Sequence, residues 1–400
     1  FINVFNMATE TIKQGGARRG ANMAVLRVDH PDIIPFVTAK MNPQALNNFN
    51  LSVAVTERFM QAAANPKDPT YALTNPRTGK PADILDAHKI LTLIAHLAWE
   101  NGEPGLLFID RINQDNPTSH LGRIEATNPC GELPLLPHES CNLGSINLAR
   151  FVVSAPNANT APTVDWPRLK KTVWIAVQFL DNVIDASHFP LTQIEHATRR
   201  TRKIGLGVMG FADALIRLGI SYASHQAVEW AGRFMAVIAE ESKRASEHLA
   251  ETRGSFPAYE KSSLAEIVAK PRRNATTNTV APTGTISIIA GCSSGIEPLF
   301  ALVYRRNILE SRSLEEIHPL VVELARQHDI HPHTLLSHLT EDSSQGVKQL
   351  FPPAIADLLV TAHDISPEQH VRIQAAFQQH VDNSVSKTIN LAADTPPAKV

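Results

Sequence analysis

Residues 126–134 read Ala126-Thr127-Asn128-Pro129-Cys130-Gly131-Glu132-Leu133-Pro134, and no regular element accommodates them. Pro129 and Pro134 lack the backbone donor that helices and sheets use, and Gly131 opens dihedrals closed to other residues. The segment is therefore expected to be an irregular loop. Asn128, Cys130 and Glu132 occupy alternate positions on it. On an extended backbone, alternate side chains share one face. An amide, a thiol and a carboxylate meeting at one point suit chemistry at sulfur assisted by a hydrogen-bonding group and a general base. A bland reading stands beside this one, because a single cysteine is often a small buried hydrophobe and a loop glutamate is often solvated. A zinc reading fails: Cys130, His138 and Cys141 follow a C-x7-H-x2-C spacing that matches no standard pattern and lacks a fourth ligand.

The flanks of this loop read as alternating strands and helices. Helices are expected over 84–100, where Ile90, Leu91, Ile94, Leu97 and Ala98 repeat at helical spacing before Asn101-Gly102, over 167–186 behind a cap at Asp165, and over 226–252 ahead of Gly254. Short apolar runs at 105–109, 279–281 and 386–391 read as buried strands. Strands separated by helices predict an α/β fold with a mainly parallel sheet. Residues 65–82 and 154–165, rich in Pro, Asn, Thr and Ala, read as surface loops, and 332–370 as helix and loop. No internal repeat is present.

Composition narrows the function. The 400 residues are 43% hydrophobic and 19% charged, with a formal net charge of -2. That supports a sizeable core and gives no broad basic face for nucleic acid. The nearest approach to a basic run, Arg199-Arg200-Thr201-Arg202-Lys203, reads as a solvated helix end. Three cysteines do not make a disulfide scaffold and suit a reducing, cytoplasmic setting. No apolar run reaches the length of a membrane span. The N-terminus, Phe1-Ile2-Asn3-Val4-Phe5, reads as the middle of a longer protein.

Three further segments carry candidate chemistry. Thr279-Val280-Ala281-Pro282-Thr283-Gly284-Thr285-Ile286-Ser287 reads as a strand end, a turn and a helix start, where hydroxyls and unpaired N–H groups can hold an anion or simply form a capped turn. Thr11-Ile12-Lys13-Gln14-Gly15-Gly16-Ala17-Arg18-Arg19-Gly20 is glycine-rich and basic, a loop whose arginines can grip phosphate or stack on a base. Gly205-Leu206-Gly207-Val208-Met209-Gly210 matches the dinucleotide fingerprint, which would make an NAD-dependent enzyme. Its context is wrong, because the polar Arg199–Lys203 stands where a strand should precede it. The glycines are expected instead to permit close helix packing.

Asn128-Pro129-Cys130-Gly131-Glu132 resembles the finger-loop motif of ribonucleotide reductases, and the resemblance runs from the loop near Gly15 to His380–Leu391. It implies one catalytic domain over residues 1–400: part of a ten-stranded α/β barrel whose central finger loop is sheltered from water. It further implies that Cys130 carries a thiyl radical and removes the 3′ hydrogen of a ribonucleotide. Glu132 takes the 3′-hydroxyl proton, Asn128 binds the ribose hydroxyls, and Pro129 and Gly131 line the substrate. Cys141 is implied as one of two reducing cysteines, its partner expected upstream of residue 1. Cys292 has no counterpart in the family and reads as structural. Pro282, Thr283, Gly284, Thr285, Ile286 and Ser287 correspond to the substrate-phosphate loop. Lys13, Gln14 and Arg18 correspond to the loop that relays a dNTP effector to the substrate base. The eleven-residue cysteine spacing and His380–Leu391 resemble the adenosylcobalamin-dependent class. The resemblance also implies a thioredoxin- or glutaredoxin-like reductant and a homodimer, with no metal held by these residues. The alternatives are the large subunit of an iron- or manganese-dependent reductase and a non-catalytic nucleotide-binding relative.

Overall fold

A computed structural model describes the chain apart from residues 13–19, 43, 155–159, 268–269, 309–311, 339–342, 393 and 400. The chain divides into two compact units: Phe1–Glu139 with Lys261–Ser263 and Ala393–Val400, and Ser140–Glu260 with Leu264–Ala392.

The first unit runs α1 (Ile2–Thr11), β1 (Asn22–Arg27), α2 (Ile33–Val37), β2 (Phe49–Val55), α3 (Glu57–Ala63), β3 (Thr70–Thr74), β4 (Pro81–Asp86), α4 (Ala87–Asn101), β5 (Gly105–Phe108), α5 (Ile109–Gln114), β6 (Ala126–Thr127) and β7 (Pro134–Leu135). Strands β1, β2 and β5 form a parallel sheet with β2 in the centre. A central parallel strand is covered on both faces and so reads as a continuous apolar run. In β2 only Asn50 is exposed. Leu51, Val53 and Val55 pack in one core with Ile90, Ile94 and Leu97 of α4. That helix starts later than the expected residue 84, because Asp86 caps it by accepting the Lys89 N–H at 3.0 Å and Ile84 and Leu85 belong to β4. Gly102, at φ 82, ends it. Residues 65–82, expected as a loop, contain β3 and the start of β4, which form an antiparallel hairpin. Tyr71 and Leu73 point inward on alternate positions, a period too short to stand out among the surrounding prolines and asparagines.

The remaining elements are β8 (Asn142–Asn147), β9 (Val152–Val153), β10 (Thr163–Val164), α6 (Trp166–Ala186), α7 (Thr192–Thr201), β11 (Ile204–Met209), α8 (Phe211–Arg217), α9 (His225–Arg253), α10 (Ser263–Ile267), α11 (Gly284–Ala290), β12 (Val303–Ile308), β13 (Arg312–Ile317), α12 (Pro319–Gln327), α13 (Pro332–Leu336), α14 (Ser343–Lys348), α15 (Pro353–Ala356) and α16 (Pro367–Gln378). Strand β11 is buried at every position and pairs with β8 in parallel. Its other edge bonds to residues 276–279, through Ile204 N–H to Thr276 O and Leu206 N–H to Thr277 O. Residues 278–280 in turn bond to 383–386, through Asn383 N–H to Asn278 O, Val280 N–H to Ser384 O and Ser386 N–H to Val280 O. No strand forms over 386–391 as expected; the pairing is a parallel bridge at Val385, just before it. Helix α6, capped by Asp165, turns Leu169, Val173, Val177, Leu180 and Ile184 into this core, and α9 packs beside it.

The segment Arg199–Lys203 is solvated at Arg200 but not at its end. Arg202 and Lys203 are 4% and 2% exposed. Arg202 leaves the helix in the left-handed region, at φ 48, and donates to the buried Asp181 from Nε at 2.9 Å and Nη2 at 2.8 Å, and to Asp185 from Nη1 at 2.7 Å. The architecture is α/β with parallel strands and outer helices. Among the described residues no sheet closes into a barrel. No helix among them is long and apolar enough to cross a membrane.

Candidate active site

Strands β6 and β7 pair antiparallel for two residues each and present residues 128–133 as a loop. The loop does not run extended. Gly131 N–H donates to Asn128 O at 3.0 Å, which makes 128–131 a tight turn with Pro129 and Cys130 at its apex and Gly131 at φ 80. The shared face expected for alternate side chains is therefore not formed. Cys130 is exposed at the tip, whereas Glu132 folds back and is 2% exposed. The shelter expected for Cys130 is not seen: the residue is exposed at the apex of a turn carried on two-residue strands.

Asn128 organises the loop. Its Oδ1 accepts the Leu133 N–H at 3.0 Å, its backbone N–H donates to Leu133 O at 3.2 Å, and its side chain also hydrogen-bonds Glu132. Burial pushes the Glu132 carboxyl above its ordinary range, against the opposing hydrogen bonds from its own backbone and from Asn128. A carboxylate made more basic in this way is a better proton acceptor. Asn50, the exposed residue of β2, donates from Nδ2 to Pro129 O at 2.6 Å and ties the apex to the sheet. Sequence reading missed Asn50; its only signal is a polar residue inside an apolar strand.

In the second unit Cys141 directly precedes β8 and is half-buried, with its Sγ 3.6 Å from Asn142 O. The turn at 282–287 stands beyond the opposite, C-terminal end of the parallel strands, where α11 begins as expected. Thr283 sits in the left-handed region, at φ 59, and its hydroxyl accepts the Gly295 N–H at 2.7 Å. Ser287 is buried, and its hydroxyl bonds Gly284 O and the Ser294 hydroxyl. Both hydroxyls are thus engaged within the protein, while Gly284, Thr285 and Ile286 are exposed. Burial, followed by the nearby Asp213, pushes the Cys292 thiol up to about 12, which keeps it protonated and supports a structural role. Lys13, Gln14 and Arg18 lie outside the described residues.

Gly205 to Met209 lie within strand β11 rather than in a turn after a strand, and only Gly210 lies beyond it, at the start of α8, so the run is no dinucleotide loop. Its glycines serve contact between strands, not helices. A Cβ on Gly207 would collide with the Thr279 carbonyl oxygen, and one on Gly205 would lie 2.5 Å from a Leu143 methyl.

Comparison with known proteins agrees with this architecture. The family model of the ribonucleotide reductase barrel domain matches residues 1–271 and 264–400. The vitamin B12-dependent ribonucleoside-diphosphate reductase of Thermoplasma acidophilum is 48% identical over 396 residues, covering 98% of this chain and 50% of that protein. The enzyme of the same name from Mycobacterium tuberculosis is 47% identical over 394 residues, covering 98% and 55%. The chain thus spans about half the length of the curated relatives it matches. The α subunit of the class Id ribonucleotide reductase of Actinobacillus ureae superposes with a TM-score of 0.75 at 20% identity, over 99% of this chain and 69% of that one, a likeness of fold. With a family model matched from end to end and relatives 47–48% identical over 98% of its length, the chain belongs to the ribonucleotide reductase barrel-domain family.

Proposed function

We propose that the protein containing this chain reduces ribonucleotides to 2′-deoxyribonucleotides by thiyl-radical chemistry with adenosylcobalamin as the radical generator. The observation that carries the reading is the loop at 128–133, in which a buried, proton-seeking Glu132 held by Asn128 lies two residues from an accessible Cys130 that is in no disulfide. When bound, adenosylcobalamin supplies a hydrogen-atom acceptor through homolysis of its cobalt–carbon bond. The names of the relatives at 47–48% identity favour this generator over an iron or manganese subunit.

In the proposed reaction Cys130, as a thiyl, removes the 3′ hydrogen of the ribose and Glu132 accepts the 3′-hydroxyl proton. The 2′-hydroxyl leaves as water after protonation by a thiol. Cys141 and a second cysteine deliver two electrons and become a disulfide, and Cys130 returns the hydrogen to C3′. A thioredoxin- or glutaredoxin-like protein then reduces the disulfide. Water must be kept from the thiyl, and with Cys130 open at the tip this falls to bound substrate and cofactor. The turn at 282–287 is assigned to the substrate phosphates, held by the first-turn N–H groups of α11 and the exposed Thr285, with Thr283 and Ser287 shaping the turn. Lys13, Gln14 and Arg18 are assigned to relay of a dNTP effector. We further assign residues 1–400 to one catalytic domain of a ten-stranded α/β barrel, in a cytoplasmic homodimer.

The test uses the full-length protein, a ribonucleoside diphosphate and a dithiol reductant. Deoxynucleotide is expected with adenosylcobalamin and not without it. The Cys130→Ser variant is expected to bind nucleotide and form no product. Turnover by that variant, or turnover independent of the cofactor, refutes the proposal.

A further inference from the structure

The segment Gly291–Pro298, which the reaction does not use, is stitched from both sides. Toward β11 and α8, Gly210 N–H donates to Ser293 O at 2.8 Å and Ser293 N–H donates to Asp213 Oδ2 at 2.6 Å. The packing there is close: a Cβ on Gly210, at φ 69, would lie 2.5 Å from Asn147 Oδ1 and 3.3 Å from the Cys292 Cβ. Toward the turn at 282–287, Gly295 N–H donates to the Thr283 hydroxyl at 2.7 Å, Cys292 N–H donates to Ser287 O at 3.0 Å, and the Ser294 and Ser287 hydroxyls stand 2.9 Å apart.

Thr283 makes this arrangement consequential. A β-branched residue at φ 59 is strained and persists only where its surroundings over-determine it. Here its hydroxyl is held by Gly295, and Gly295 lies two residues from the peptide that Asp213 grips. Asp213 is 2% exposed, and His318 Nε2 lies 3.8 Å from its second oxygen without a hydrogen bond of its own. The carboxylate is therefore committed chiefly to Ser293.

We infer that Asp213 is a positioning residue for the turn at 282–287: by accepting the Ser293 N–H it fixes residues 292–295, whose Gly295 N–H holds Thr283 in its left-handed conformation. The orientation of the Gly284, Thr285 and Ile286 N–H groups follows from that conformation. The inference rests on the assignment of this turn to the substrate phosphates. It gives the Gly205–Asp213 run a role beyond packing, as the anchor on which the phosphate turn is mounted.

The test compares calorimetric binding of a ribonucleoside diphosphate with binding of the same ribonucleoside lacking phosphates, in the full-length protein. Thr285→Ala removes the exposed hydroxyl assigned to the phosphates without touching Asp213 or Thr283, and it should lower the preference for the diphosphate. An unchanged preference overturns the phosphate assignment, and the inference with it. Asp213→Ala should weaken diphosphate binding about tenfold, the cost of one well-placed charged hydrogen bond. It should leave nucleoside binding within about twofold, since the same bond does not touch the base or ribose. Asp213→Asn, whose carboxamide oxygen still accepts from Ser293, should restore most of the loss. Equal weakening toward both ligands, or none toward either, overturns the inference. If Asp213→Ala does not fold, Thr283→Ala decides: it should reproduce the phosphate-selective loss, and its absence refutes the chain of contacts.

Discussion

Replacing Asp181 by Ala should destabilise the second unit by about 3–4 kcal/mol, at the lower part of the range for breaking a buried ion pair. The magnitude comes from the geometry. The Asp181 side chain is fully buried, and its Oδ1 accepts from Arg202 Nε at 2.9 Å, Arg202 Nη2 at 2.8 Å and Asn274 Nδ2 at 3.0 Å. Arg253 and Arg273 each reach its Oδ2 at 3.4 Å. Removing the carboxylate strips a 5%-exposed guanidinium of its deepest partner, but Asp185 still accepts from Arg202 at 2.7 and 3.0 Å, so the charge keeps some compensation. The network joins α6, the end of α7, the end of α9 and the residues leading into 276–280, so its loss should be felt by the whole unit. Three of the four tryptophans, Trp166, Trp174 and Trp230, lie in this unit and make fluorescence a local reporter of urea unfolding. The transition should move to lower urea, with a fall in melting temperature on the order of 6–8 °C at about 2 °C per kcal/mol for a unit of this size. Asp181→Asn keeps an acceptor for Arg202 and Asn274 and should lose about half as much, because an amide retains hydrogen bonds but not charge. An Asp181→Ala protein within about 1 kcal/mol of wild type would show that solvent compensates the cluster, as it does for surface pairs, and would refute this account of Arg202.

Two further outcomes follow from packing and burial. Gly207→Ala should cost more than about 3 kcal/mol or abolish soluble expression, because the new Cβ meets a backbone carbonyl that cannot step aside. Gly232→Ala within α9, where the nearest neighbour is the His380 ring at 3.9 Å, should instead stabilise by about 0.5–1 kcal/mol; equal urea midpoints for the two variants would contradict the strand-contact argument. The raised Glu132 carboxyl gives a pH signature. A folded-state value above the unfolded one favours folding while the group is protonated, and that contribution is lost as pH rises through the folded value. Wild type should therefore lose stability relative to Glu132→Gln as pH climbs from the ordinary carboxylate range toward neutrality, and a flat difference would show that burial does not perturb this residue.

Much of the helical frame was legible in the sequence. Residues 87–101, 166–186 and 225–253 carry 3.6-residue apolar repeats with caps at both ends, and the helices form there. The strands were read less well. β11 was not read as a strand, and its glycines were expected to serve helix packing, because Gly205 and Gly207 answer to Leu143 and Thr279, residues distant in the chain. The bridge at Val385 shows no alternation of its own, since it is defined by partners at 278–280. Arg202 looked like surface charge because Asp181 lies 21 residues away on another helix.

The sequence by itself determined that residues 128–133 form an irregular loop bearing an amide, a thiol and an acid, because proline and glycine act on the backbone locally. It also determined that a helix starts within residues 279–287, through the same local chemistry of turns and caps. Only the tertiary structure decided that Glu132 is buried while Cys130 stands at the apex. It likewise decided that Asn50 secures the Pro129 carbonyl and that Asp213 grips the peptide behind Thr283. Burial and long-range hydrogen bonds depend on which strands become neighbours, and that choice is made by the packing of the whole core rather than by any short stretch of chain.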